Sequence, residues 1–117
     1  MIIKGLLIDP AAGSIQETTV RKSVLQDIYN AIDADLFGCV DLNESNTIYV
    51  DEEGLLKGKG EDPSNIFTVK AGKGSCYGLC GKALVLGRNE QGDSVGVSMT
   101  KEQLEQMIVF HNIQVTG

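Results

Sequence analysis

The residues most able to do chemistry gather in one glycine-rich stretch, Gly72-Lys73-Gly74-Ser75-Cys76-Tyr77-Gly78-Leu79-Cys80-Gly81-Lys82. A phosphate-cradling P-loop needs G-x-x-x-x-G-K-[ST], because the glycines let backbone N–H groups face the phosphates and the hydroxyl reaches Mg²⁺. Gly81-Lys82 supplies the second half of that pattern, but Cys76 stands at the first glycine position and Ala83 at the hydroxyl position. The stretch also leads into a strand pattern, whereas a dinucleotide fingerprint must open a helix. It reads either as a connector between strands or as a ligand loop of another kind.

The thiols and the histidine give less. Cys76 and Cys80 are four residues apart, with Cys39 and His111 distant in sequence. A structural zinc site needs about four such ligands, and a redox pair would show C-x-x-C beside a βαβ pattern. Two small, half-buried thiols are expected instead. His111 falls on the apolar stripe of a C-terminal helix pattern, without a nucleophile signature beside it. A small enzyme using Cys76, Cys80 or His111 is one reading of these residues. The carboxylates of Asp33-Ala34-Asp35 and Asp51-Glu52-Glu53-Gly54 lack the spacing of a calcium loop. No metal site, cofactor or catalytic residue is expected.

Charge is distributed in blocks. Between Lys22 and Lys57 there is no Lys or Arg, while Asp27, Asp33, Asp35, Asp41, Glu44, Asp51, Glu52 and Glu53 fall there. From Lys57 to Arg88 the balance reverses, with Lys57, Lys59, Lys70, Lys73, Lys82 and Arg88 against Glu61 and Asp62. Such blocks are solvated faces, meet across a homo-oligomer interface, or mark an interaction surface. Lysines among glycines offer ammonium groups and backbone N–H donors to an anion. On that reading Lys57, Lys59, Gly72, Lys73, Gly74, Ser75, Tyr77, Gly78 and Lys82 form a site for a nucleotide or other phosphate compound.

The elements that must position these residues are those of an ordinary globular chain. Its 117 residues suit one domain spanning residues 1–117, and 42% hydrophobic with 22% charged residues argues against disorder. Three Phe, three Tyr and no Trp require a mainly aliphatic core. A net charge of −6 disfavours duplex DNA and anionic membranes, since both demand a dense basic surface. The opening Met-Ile-Ile-Lys lacks a secretory signal pattern, and three cysteines fit reduced thiols, so a cytoplasmic location is expected.

Ile2–Ile8 and Ile15–Val20 read as a hairpin about the turn Asp9–Gly13. Ser23 and Gln26 have the spacing of a capping box before the stripe Leu25, Ile28, Tyr29, Ile32. Strands follow at Leu36–Leu42, Thr47–Val50 and Ile66–Lys70, with a loop over Leu55–Asn65. Lys82–Leu86 and the alternating Val95, Val97 and Met99 make a second hairpin about Arg88–Ser94. Thr100 and Gln103 cap a last helix whose stripe is Leu104, Met107, Ile108 and His111. The sum is an α+β fold, a mostly antiparallel sheet of about six or seven strands with two helices packed on one face.

Three segments carry a resemblance. They are the opening strand closed by Ile8-Asp9-Pro10, the unit Leu25–Gly58 with Ile48-Tyr49-Val50-Asp51-Glu52-Glu53-Gly54-Leu55-Leu56-Lys57-Gly58, and Ile66–Gly87 closing on Gly81-Lys82-Ala83-Leu84-Val85-Leu86-Gly87. Taken in order they resemble a family of small phage, mobile-element and bacterial proteins of unknown function. The chain departs from that pattern at Gly72–Gly81, where the family looks shorter. The resemblance implies a phage or mobile-element origin and offers no catalytic residues to carry over. The expected function is that of a non-catalytic accessory protein that binds a host protein and modulates or antagonises a host defence process. Binding of a small phosphorylated ligand, at an oligomer interface or within one chain, is the alternative.

Overall fold

The first strand, β1 (Ile2–Asp9), folds back on β2 (Ser14–Arg21) in unbroken antiparallel register, from Ile2 opposite Arg21 to Asp9 opposite Ser14. Asp9 makes the turn as its side chain allows, its carboxylate accepting from the Ala12 N–H at 3.2 Å. A computed structural model of the chain describes residues 1–34, 37–51, 66–70 and 76–110. Helix α1 (Leu25–Ile32) follows the hairpin, then β3 (Phe37–Asp41), β4 (Asn46–Asp51), β5 (Ile66–Lys70), β6 (Cys76–Cys80), β7 (Ala83–Arg88), β8 (Ser94–Val95), α2 (Lys101–Glu105) and β9 (Ile108–Phe110). The expected loop over Leu55–Asn65 lies outside the described residues.

The α+β architecture is as expected, with antiparallel pairing throughout the described strands, but these divide into two sheets. One runs β2-β1-β7-β4-β3 with β8 against β7, and the other runs β6-β5-β9. Two of the nine described strands were hidden in the sequence. β6 lies inside the glycine-rich stretch, half of which is therefore ladder and not loop. β9 lies inside the expected last helix.

The central strand β7 organises the core. Its residues Ala83, Leu84, Val85 and Leu86 are all fully buried, as the two covered faces of an inner strand require. Side chains alternate between faces along a strand. Ala83 and Val85 join Leu6, Ile8 and Ile48 in one cluster, which Phe67 and Val69 of β5, Leu104 of α2 and Ile108 of β9 complete. Leu84 and Leu86 join Ile3 and Val20 in a second, closed by Ile28 and Ile32 of α1. The helices thus cover opposite faces of the larger sheet rather than one. Periodicity shows which side of a helix is apolar, but not which sheet face receives it.

Beyond Val85, β1 and β7 part, and the segment following the Arg88–Ser94 turn enters the gap. Gly87 pairs with Val95, and the Val97 N–H donates to the Lys4 carbonyl at 2.8 Å. A Cβ on Gly87 would drive into the Gly96 carbonyl, so the close approach of these two backbones needs glycine there. The expected strand through Met99 is correspondingly shorter, because Val97 and Met99 leave the ladder and pack against the main cluster.

Helix α1 begins differently from its capping signature. Ser23 holds a left-handed φ of 65°, so it cannot cap, and Val24 takes the N-cap position without a side-chain bond. Asp27 of the first turn reaches back to the end of β2 instead. It accepts from the Arg21 backbone N–H at 2.8 Å and from the Arg21 guanidinium at 3.0 and 2.8 Å. The first position of the apolar stripe, Leu25, is consequently 56% exposed. The Arg21 side chain, and then its backbone N–H, hold the Asp27 carboxyl down at about 2. A carboxyl depressed by folding contributes stability that is complete above its unfolded value of about 3.9 and is lost as pH falls toward the folded one. Asp27→Asn should therefore flatten the acid limb of the Tm–pH curve between about pH 4 and pH 2 and lower the neutral limb evenly without changing its slope. An acid limb identical to wild type would show that this clamp does not form in solution.

At the other end, α2 keeps its capping box, with the Gln103 N–H on Thr100 Oγ1 at 3.1 Å and the Thr100 N–H on Gln103 Oε1 at 2.9 Å. It stops at Glu105, short of the expected stripe. Ile108, Val109 and Phe110 instead pair with Val69, Thr68 and Phe67 along the open edge of β5. The β-branched and aromatic residues gain a ladder there that outweighs the helical pattern. The expected placement of His111 on that helix lies outside the described residues.

Candidate functional site

The expected phosphate site is only partly described. Lys57, Lys59, Gly72, Lys73, Gly74 and Ser75 lie outside the described residues. Tyr77 and Gly78 stand in β6 opposite Val69 and Thr68, in a ladder rather than a glycine turn. Lys82 follows Gly81, whose φ of 81° turns the chain from one sheet into the other. The Lys82 ammonium donates to Asp33 Oδ2 at 2.9 Å, at the C-terminal cap of α1. That hydrogen bond and the Asp33 charge, with a lesser pull from Asp9, raise the Lys82 pKa. Among the described residues, Lys82 thus faces carboxylates.

The two charge blocks meet inside the chain. Lys82 with Asp33, and Arg88 with Asp41 at 3.2 Å, each join a cation of the basic block to an acid of the acidic one. Arg88 does more than pair. Its guanidinium also donates to the Asn46 carbonyl at 3.1 Å, to Thr47 Oγ1 at 2.8 Å and to the Asn43 carbonyl at 2.8 Å. The Arg88 backbone N–H donates to the Ser45 carbonyl at 2.9 Å. One side chain at the end of β7 thereby fixes the whole β3–β4 turn.

Above this clasp lies an open groove of about 520 Å³, lined by Asn43, Glu44, Ser45, Asn46, Ser98, Met99, Gln103 and Met107. Its floor is the Asn46 side chain, 2% exposed. The Asn46 amide donates to Asn43 Oδ1 at 3.0 Å and to Ser98 Oγ at 2.9 Å, and its oxygen accepts from the Ser98 N–H at 2.9 Å. The β3–β4 turn forms one side of the groove and the α2 segment the other. Sequence reasoning missed it: residues 43–46 fall between two expected strands, and Met99 falls on the expected second hairpin. No periodicity signals that they meet.

A family model described as a domain of unknown function, DUF3846, matches residues 3–109. The chain belongs to that family. No curated protein and no solved structure gives a significant match. The resemblance to a family of unknown function therefore holds, and the DUF3846 match takes in the hairpin, both sheets and every residue that lines the groove.

Two thiols of this DUF3846 chain share one strand. On β6, Cys76 and Cys80 are four positions apart, about 13 Å between Cα atoms, far beyond the span a disulfide bridges. Cys80 is 4% exposed and Cys39 is exposed on β3. Partial burial, and then the Asp41 charge, push the Cys39 thiol up, so its thiolate is scarce at neutral pH. Iodoacetamide should alkylate Cys39 more slowly than a model thiol at pH 7 and at a rate that climbs with pH. Cys80 should react on unfolding, as peptide mapping by mass spectrometry reads directly. Equal labelling of Cys39 and Cys80 in the native protein would contradict both placements.

Proposed function

We propose that this DUF3846 protein is a non-catalytic accessory protein of a phage or mobile element, acting in the host cytoplasm by binding a host protein and so modulating or antagonising a host defence process. The observation that carries the binding half of this reading is the chemistry of the groove: amides, hydroxyls, two thioethers and a single carboxylate. Such a lining makes hydrogen bonds and dispersion contacts, the means of recognition, whereas proton transfer works through titratable groups poised against each other. The phage or mobile-element origin and the host target rest on the family resemblance.

The test is affinity capture from bacterial host lysate, with the tagged chain as bait and quantitative mass spectrometry as readout. A single host protein should be retained near stoichiometrically and be displaced by excess untagged chain. A bait that retains nothing specific from low to physiological salt sinks the reading. The phosphate-ligand alternative is tested beside it by thermal unfolding against a nucleotide panel. A ligand at 100 times its Kd adds about 2.7 kcal/mol, and such a shift would put that alternative first.

A further inference from the structure

The groove carries a charge as well as a shape. Glu44 on the β3–β4 turn is exposed and pairs with no cation among the described residues. Glu102 and Glu105 lie on the same helix as the groove residue Gln103, outside the lining, both exposed and likewise without a cationic partner among the described residues. Arg88 does not offset them, because it is bound to Asp41 and to turn carbonyls behind the groove. Lys101 opens the same helix, and Lys70 of β5 stands beside Met107, its backbone N–H donating to the Met107 carbonyl at 2.7 Å, but neither lysine lines the groove. The one charged side chain among the described lining residues is therefore the Glu44 carboxylate, which repels phosphates and draws cations.

Two further features narrow the occupant. Met99 and Met107 line the groove and pack against the main core cluster. Thioether side chains adapt to irregular apolar surfaces and suit peptide-binding faces. The long stems of Lys and Arg are apolar while their heads stay polar. A groove of about 520 Å³ also exceeds one such side chain and suits a short stretch of peptide.

From charge complementarity and this lining we infer that the groove receives a basic segment of a partner protein, with a lysine or arginine head at the Glu44 carboxylate and its stem against Met99 and Met107. The inference rests on the binding reading above and names the class of partner that the same site takes. The buried Asn46–Ser98 hydrogen bonds keep the floor rigid, so the segment meets a preformed surface and loses less on ordering.

The probe is a dye-labelled nonapeptide alternating arginine and leucine, titrated by fluorescence anisotropy, with an alternating glutamate and leucine peptide as its counterpart. Glu44→Gln should raise the Kd about two- to five-fold, the range of one partly exposed ion pair, and Glu44→Lys should raise it further. Glu90→Gln makes the same charge change on the exposed β7–β8 turn and should leave the Kd unchanged. Amide shifts on titration should cluster at Asn43–Asn46 and at Ser98 and Met99. Equal weakening by Glu44→Gln and Glu90→Gln, shifts elsewhere, or equal binding of the acidic peptide overturns the inference. The same variants then serve as capture baits. A host protein held equally by wild type and Glu44→Lys overturns the groove assignment and leaves the binding reading standing. A wild-type bait that holds nothing overturns the binding reading, while the peptide titration still tests the groove by itself.

Discussion

Asn46→Asp should destabilise the protein by about 3 kcal/mol at neutral pH and recover part of that loss on acidification. The substitution keeps the shape of the side chain and changes only its hydrogen bonding. The native amide donates to Asn43 Oδ1 and Ser98 Oγ, at 3.0 and 2.9 Å. A carboxylate oxygen in its place would confront the Asn43 oxygen, which is already held by the Ser45 N–H at 2.9 Å. The Ser98 hydroxyl can turn to donate, but Asn43 cannot turn without releasing Ser45. Arg88 offers little relief, because its guanidinium is committed to Asp41, Thr47 and two backbone carbonyls. Burial and the facing acceptor both raise the introduced carboxyl above its unfolded value of about 3.9. Below that value the group is neutral in both states, and the cost is that of the lost hydrogen bonds alone. Between that value and the raised folded one the unfolded chain sheds its proton while the folded chain keeps it, so the penalty grows with pH and levels off above the folded value. Asn46→Ala, with no charge, should cost about 1–3 kcal/mol without that pH dependence. Urea unfolding of both variants from pH 4.5 to 7.5 separates them, and parallel curves would mean that water reaches position 46.

What the sequence disclosed and what it withheld divide along the range of the interactions. The Asp9–Gly13 turn, the Arg88–Ser94 hairpin and the Thr100 capping box are settled within a few residues, and each is where its residue types predict. Ser23 shows the limit of even a local signal. Its spacing to Gln26 suits a capping box, yet Arg21 and Asp27 form a better clamp and leave Ser23 in the left-handed region. Past Leu104 the expected helix gives way to a strand for a longer-range reason. An open β5 edge, forty residues upstream of β9 and invisible to periodicity, offers Ile108–Phe110 a ladder. The groove is the extreme case, since Asn46 and Ser98 lie 52 residues apart and meet because of strand order. Nor does reading charge along the chain show that strand order brings Lys82 and Arg88 of the basic block to Asp33 and Asp41 of the acidic one.

The same dependence on tertiary pairing makes Phe67→Ala the most damaging single change to be expected, at about 3–5 kcal/mol. Phe67 is fully buried in β5, the middle strand of the smaller sheet, between Leu79 of β6 and Phe110 of β9. No ladder joins that sheet to the larger one among the described strands. The two are held together by side chains of the main cluster, of which Phe67 is the largest fully buried member. Truncation leaves a cavity facing Leu6, Ile8 and Ile48 that neither sheet can close without shifting. A loss of this size is a large share of the 5–15 kcal/mol typical of a whole domain. Its effect should also be uneven, because the β1–β2–β7 ladder and α1 rest on the other cluster as well. Hydrogen exchange of the variant should therefore speed up first in β5, β6 and β9, with β1 and β7 still protected. Met107 and Gln103 lie beside β9, so the variant should also bind the arginine–leucine peptide more weakly while the Asn43–Asn46 turn keeps its protection. Phe67→Leu refills most of the space and should cost under about 1.5 kcal/mol. Uniform acceleration of exchange across both sheets would instead show that they unfold as one unit, and would place their coupling in the ladders rather than in the side chains around Phe67.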